Sequence, residues 1–368
     1  MPDPVARERR PSLVVAASYG RAAASARVRM LDWVDALGLD AEFWDYAGGP
    51  DVRPTTLARD PLAVLRAEAR LSRVRRARGP ERLLVSRSVS PFHRGALEVD
   101  LLRRADWGVY DFDDALFADH RRGLHRVVGE SAGWARALQG ADRVVAGNAH
   151  LAEAASALHP DVVVIPSCVQ PGRYPRKADH RIGEVPRIVW LGSPSTEAHL
   201  RPVTQALLDV HRRTGARLTV ISAGDRPLGE LGAMTDRVTW DGPRTDAVLA
   251  QADCGIMPLS DTPFARGKCA YKLLQYGAVG LPAVASPVGV NAEVVDQLDG
   301  LAATGADEWV QALVGLLGEP DARRTARGVR ARAAVERLYS FSAWESVFRA
   351  ALQLPKAPGP ARHPVGPG

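Results

Sequence analysis

Short apolar runs alternate with amphipathic stretches along most of the chain, and this alternation predicts parallel β-sheets covered by helices. In the first half, strands are expected at 12–17, 41–46, 83–86, 108–110, 143–146 and 162–165, with helices at 26–37, 94–104 and 149–158. Periodicity then lapses between Pro166 and Pro186, a segment with four prolines and two glycines that reads as an interdomain connection. A second series opens at 187–191 and continues through strands at 217–221, 254–257 and 283–285, closing in helices at 306–317 and 321–338. A last helix is expected at 341–352, before a tail rich in proline and glycine that is expected to be disordered. Each half opens with a strand that runs into a glycine-containing loop and a helix. Two α/β domains of Rossmann-like type are therefore expected, with loops at the strand carboxyl ends facing a shared cleft. Those loops are 18–25, 110–117, 192–196, 240–244, 262–268 and 287–291.

Length agrees, since 368 residues are about two ordinary domains. The expected division is 1–172, a linker at 173–186, a second domain at 187–340, a crossing helix at 341–353 and the tail at 354–368. The net charge of +6 is shared between the halves, which argues against a nucleic-acid binder and fits a small anionic ligand better. The helix-like RAEARLSRVRRARG concentrates Arg73, Arg75, Arg76 and Arg78. A solvated helix face is favoured there over contact with a membrane surface. Cys168, Cys254 and Cys269 have no metal-ligand or disulfide spacing, so a reducing, cytoplasmic setting is the simplest. The long uncharged run 273–292 is broken by glycines and two prolines and is a poor membrane span.

Four segments carry candidate chemistry. In GKCAYKLLQYGAVGLPAVASPVGVNAE (267–293), Gly267 and Lys268 open a helical run expected from Cys269 to Ala278. A helix start presents unpaired N–H groups and a positive dipole end, which suit a phosphate or diphosphate. Lys268 and Lys272, four apart, are expected on one helix face beside those amides. YGRAAASARVRM (19–30) leaves the first strand through Gly20, Ser25 and other small residues, and Arg27 and Arg29 could clamp a phosphate or a hydroxyl-rich group. WGVYDFDDALF (107–117) sets Asp111, Asp113 and Asp114 just after a strand, where carboxylates can grip sugar hydroxyls, move a proton or hold a metal. Asp111-Phe112-Asp113 has the form of a DxD metal motif of single-domain glycosyltransferases, but a second nucleotide-binding half follows here, so substrate-gripping carboxylates are preferred. WLGSPSTEAHL (190–200) offers Gly192 and Ser193 ahead of a helix expected near Thr196, with His199 read as a surface residue. None of the nine histidines sits in a metal-ligand pattern.

Together these segments resemble a retaining glycosyltransferase of the two-domain GT-B fold, in the family 4 group (glycosyl transferases group 1). The resemblance spans nearly the whole chain through SARVRM (25–30), VYDFDDALF (109–117), ADRVVAGNAHLAE (141–153), VIPSCV (164–169), VWLGSPST (189–196), GIMPL (255–259) and GKCAYKLLQYGAVGLPAVASPVGVNAEVV (267–295). It implies that the second domain holds a nucleoside-diphosphate sugar (UDP-, GDP- or dTDP-linked), that the first holds a hydroxyl or amine acceptor, and that the final helix crosses back to the first. It also implies retention without a metal or a bound cofactor. Donor contacts are then expected from Gly192, Ser193, Met257, Gly267, Cys269, Ala270, Gln275 and Glu293, and catalytic roles from Asp111, Asp113, Asp114, Lys268 and Lys272. One departure stands out. The family's pair of glutamates eight apart aligns with Gly267 at the sugar position and Gln275 at the ribose position, and the usual basic pair after the first strand of the second domain is missing from GSPSTEAHL. An amide still hydrogen-bonds ribose hydroxyls. Lys268 and Lys272 are expected to replace the basic pair on the diphosphate. A cyclitol-coupling pseudo-glycosyltransferase and a non-catalytic nucleotide-sugar-binding protein remain the alternatives. The residues leave open the donor, the acceptor and the oligomeric state.

Overall fold

The computed structural model describes residues 10–356 except 47, 50, 51, 53 and 119–129. The tail expected to be disordered therefore lies, from 357 onward, outside the described residues. Two six-stranded parallel sheets form the frame. The first contains β1 (Leu13–Ala16), β2 (Glu42–Trp44), β3 (Arg82–Ser86), β4 (Trp107–Phe112), β5 (Arg143–Ala146) and β6 (Val162–Val164), in the order β2-β1-β3-β4-β5-β6. The second contains β7 (Arg187–Leu191), β8 (Arg217–Ile221), β9 (Thr235–Val238), β10 (Cys254–Met257), β11 (Ala283–Ala285) and β12 (Leu301–Ala302), in the order β12-β11-β10-β7-β8-β9.

Central strands such as LVVA and RIVWL are apolar at successive positions because both of their faces are covered. Alternate residues enter opposite cores. Val14 and Ala16 join one cluster while Leu13 and Val15 join another, and Val189 and Leu191 part from Ile188 and Trp190 in the same way. The pattern did not predict β9 and β12. Both lie at sheet edges, β9 is half-exposed with polar residues, and β12 has only two residues, so neither carries a full apolar run.

The final helix, Phe341–Ala351, leaves the second half and packs on the first sheet. Phe348 stacks on Trp33 with ring centroids 4.2 Å apart, and Phe341 meets the same ring edge-on at 4.8 Å. A bridge between Val169 and Ser340 ties the outgoing connection to the returning one. The arginine-rich segment is the helix Pro61–Arg76; Arg73 and Arg76 are exposed and Arg75 pairs with Asp100 at 3.0 Å, as a solvated face requires. Among the described residues, no helix is long and apolar enough to cross a membrane.

Candidate active site

Loops at the carboxyl ends of both sheets meet at the segment Gly267–Lys272. The helix expected from Cys269 begins instead at Tyr271, after the short helix Pro263–Arg266. The delay has a local cause. Ala270 caps the helix in the left-handed region (φ 54°), so the chain bends there before the regular turns begin. The N–H groups of Cys269, Ala270, Tyr271 and Lys272 have no acceptor among the described residues, as expected of a helix start that presents amides outward.

That bend separates the two lysines. They do not share a helix face, because Lys268 precedes the helix and only Lys272 lies in its first turn. Lys268 reaches across to the first lobe, where its Nζ donates to Asp114 Oδ1 at 2.7 Å, and it sits over the Phe264 ring. Lys272 is half-buried over the Trp190 ring at 5.6 Å. Burial lowers its pKa to about 8, Lys268 adds to the effect, and Asp114 opposes it. His199, read from sequence as a surface residue, is instead half-buried close to both lysines, and burial followed by Lys272 and Lys268 lowers its pKa.

The three first-lobe aspartates are not equivalent. Asp111 is buried in a pair with Arg29, whose Nε and Nη2 both donate to it, Nη2 at 2.5 Å. Arg29 also donates to the carbonyl of Ile165 at 2.9 Å. Neither side chain is free for substrate, which corrects the expected clamp by Arg29 and the expected chemistry at Asp111. It also removes one half of the DxD pair. Asp114 bridges Lys268 and Arg87, the latter at 3.0 Å; burial pushes its carboxyl up, but Arg87 and Lys268 outweigh that and hold it below the usual range. Asp113 is raised by burial and then by Asp114, and its Oδ1 is buried without a hydrogen-bond partner.

Five other residues were expected to contact the donor. The Sγ of Cys269 donates to the carbonyl of Asp113 at 3.3 Å and faces the first lobe. Met257 and Gln275 are 4% and 6% exposed. Glu293 is exposed and accepts from Gln297 at 2.9 Å. Ala270 contributes the bend and its own amide.

Close packing explains the glycines. A Cβ at Gly267 would lie 2.6 Å from the Cβ of Ala115 and 2.7 Å from its N, so the first lobe occupies the space of the missing glutamate. At Gly20 a Cβ would meet the carbonyl oxygen of Gly48 at 2.2 Å, which places this glycine against a neighbouring loop. Gly192 leaves room for the Trp190 ring, and Ser193 caps the 3-10 helix Pro194–Val203. Ser25 is half-buried at the start of the helical run after β1. Arg27 pairs with Asp32 at 3.1 Å and lies 5.8 Å from the exposed ring of Trp240, linking the two lobes.

Sequence reasoning missed Arg87, Asn148, Trp190 and Trp240. Asn148 stood in the quoted motif 141–153 with no role assigned to it, and its interlobe partners lie 119 and 120 residues away. A cavity of about 300 Å³ at the carboxyl ends of β10, β11 and β12, lined by Leu259, Ser286, Val288 and Trp309, includes none of these residues. The site is defined by converging side chains and amides, not by that hollow.

The family described as Glycosyl transferases group 1 matches residues 185–319. No curated protein sequence matches the chain. Among solved structures, sucrose-phosphate synthase from Thermosynechococcus elongatus is similar at 16% identity and a TM-score of 0.66, covering 94% of this chain and 97% of its own. HepE from Anabaena, in complex with UDP, is similar at 14% identity and a TM-score of 0.66, covering 93% and 99%. WaaG, a glycosyltransferase involved in lipopolysaccharide biosynthesis, is similar at 14% and 0.65, covering 92% and 99%. Residues 185–319 thus match the model of glycosyl transferases group 1, and the whole chain takes the two-sheet GT-B fold of these solved structures.

Proposed function

We propose that this protein is a retaining, metal-independent glycosyltransferase that moves a sugar from a nucleoside-diphosphate sugar to a hydroxyl or amine acceptor in the cytoplasm. Residues 187–340 form the donor lobe and residues 1–172 the acceptor lobe. The observation that carries the reading is the convergence of Lys268, Lys272 and the unpaired amides of 269–272 beside Asp114. As the bond between the anomeric carbon and the diphosphate oxygen breaks, negative charge grows on the leaving group, and fixed N–H dipoles and ammonium groups stabilise it there. Those cations and amides do the work a divalent ion would do on the diphosphate, and Asp111 is already committed to Arg29. The acceptor oxygen then bonds to the face the diphosphate leaves. Its proton passes to the departing diphosphate.

A thermal-shift screen against UDP, GDP, dTDP and ADP, followed by turnover of the matching sugar nucleotides, tests the reading. Stabilisation by one nucleotide and transfer or hydrolysis of its sugar are expected. Binding without any turnover would favour a non-catalytic nucleotide-sugar-binding protein, and a product containing a cyclitol would favour the pseudo-glycosyltransferase. Lys272→Ala is expected to lose both donor affinity and rate; unchanged values would remove Lys272 from the mechanism.

A further inference from the structure

We infer that Asn148, a residue of the acceptor lobe, is a positioning residue for the donor-side segment Gly267–Cys269; the inference rests on the proposed transfer reaction. Asn148 is 3% exposed and caps the helix Ala149–Ser156. Its Oδ1 accepts the N–H of Leu151 at 2.9 Å, which fixes which end of the amide is oxygen. The Nδ2 end then has two N–H groups to place, and both cross to the other lobe. One donates to the carbonyl of Gly267 and the other to that of Lys268, each at 3.1 Å. Both hydrogens of the side-chain amide thus have interlobe partners, and its oxygen is used locally.

The consequence follows from peptide geometry. In a trans peptide the C=O and the next N–H point in opposite directions. Pinning the Lys268 carbonyl against the acceptor lobe therefore turns the Cys269 N–H away from it, at the start of the four unpaired amides. The same pin sets the Lys268 backbone from which Nζ reaches Asp114. Packing around it is tight: a Cβ at Gly147 would meet the Sγ of Cys269 at 2.5 Å, and one at Gly267 would meet Ala115. From the acceptor lobe, Asn148 holds the backbone of this contact by two directed bonds, beside those that Lys268 and Cys269 make to Asp114 and Asp113, while the neighbouring glycines supply closeness.

Asn148→Ser keeps a good helix cap but is too short to reach the opposite carbonyls, so it separates the two roles. Asn148→Asp keeps the cap as well, and sets an oxygen against two carbonyl oxygens. For both variants of the full chain without ligand, hydrogen exchange should quicken in peptides covering 267–272 and stay unchanged across 149–156. With the sugar nucleotide selected by the screen, kcat should fall about tenfold or more while the Kd of the free nucleoside diphosphate moves less than about threefold. Unchanged exchange at 267–272, or an unchanged kcat, overturns the inference. Parallel losses of kcat, affinity and protection of 149–156 also overturn it, because they mark a purely structural cap. A wild-type chain that turns over no sugar nucleotide, with the exchange change present, defeats the transfer reading and the catalytic part of this inference, and leaves Asn148 as a link between lobes.

Discussion

Raising the pH from 7 to 9 is expected to weaken binding of the donor sugar nucleotide by about tenfold, with Lys272 as the cause. Its ammonium is half-buried over Trp190, and burial together with Lys268 brings its pKa down to about 8. About nine in ten molecules of the free protein then carry this charge at pH 7, and about one in ten at pH 9. A diphosphate seated against the ammonium favours the charged form, so the complex keeps the proton through this range. Binding above pH 8 must therefore take up a proton, and affinity falls as protons become scarce. The diphosphate of a sugar nucleotide is a diester with no proton to lose in this window, so the slope belongs to the protein. Isothermal titration in two buffers of different ionisation enthalpy reads both the affinity and the proton uptake. Lys272→Gln, neutral throughout, should bind more weakly at pH 7 and show a flat profile. Stability should move the other way. A lysine whose pKa is lowered in the fold costs stability at pH values where it must be charged, and that cost fades as pH rises from 8 toward the ordinary lysine value. Tighter folding with weaker binding would thus separate lost charge from lost structure. A flat wild-type profile, or an equal slope in Lys272→Gln, would refute the reasoning.

Three further outcomes follow from the packing. Arg29→Ala strands the buried Asp111 carboxylate, so chemical denaturation should show a loss of about 3–5 kcal/mol, whereas a role confined to binding would leave stability intact. Gly267→Ala adds a methyl group against Ala115 and should cost about 1–3 kcal/mol in thermal or denaturant unfolding and weaken nucleotide binding; a variant equal to wild type in both would show that the lobes do not meet there. Trp33→Ala removes the ring that Phe341 and Phe348 share, and about 3–5 kcal/mol should be lost in unfolding, with faster hydrogen exchange across Phe341–Ala351.

The strands with apolar runs, such as those at 188–191 and Ala283–Ala285, were legible because a strand segment covered on both faces needs every position apolar, and that demand is written locally. The final helix was legible for a similar reason, since its apolar face recurs at helical spacing. The cleft loops could be placed from topology alone, because parallel strands align their carboxyl ends. What the sequence by itself could not determine is which charges remain available. Arg27, Arg29 and the aspartates at 111, 113 and 114 look alike as a string of letters. Only the tertiary structure commits Arg29 to Asp111, turns Arg27 toward Trp240, and sets Asp114 between Arg87 and Lys268. The left-handed turn at Ala270 was equally hidden, since alanine at that place reads as helix. Local pattern encodes burial and periodicity because these act between near neighbours. Ion pairing and the aim of an amide such as Asn148 depend on partners far along the chain, and the pairing of Lys268 with Asp114 and the bonds of Asn148, more than a hundred residues apart, form only where the two lobes meet.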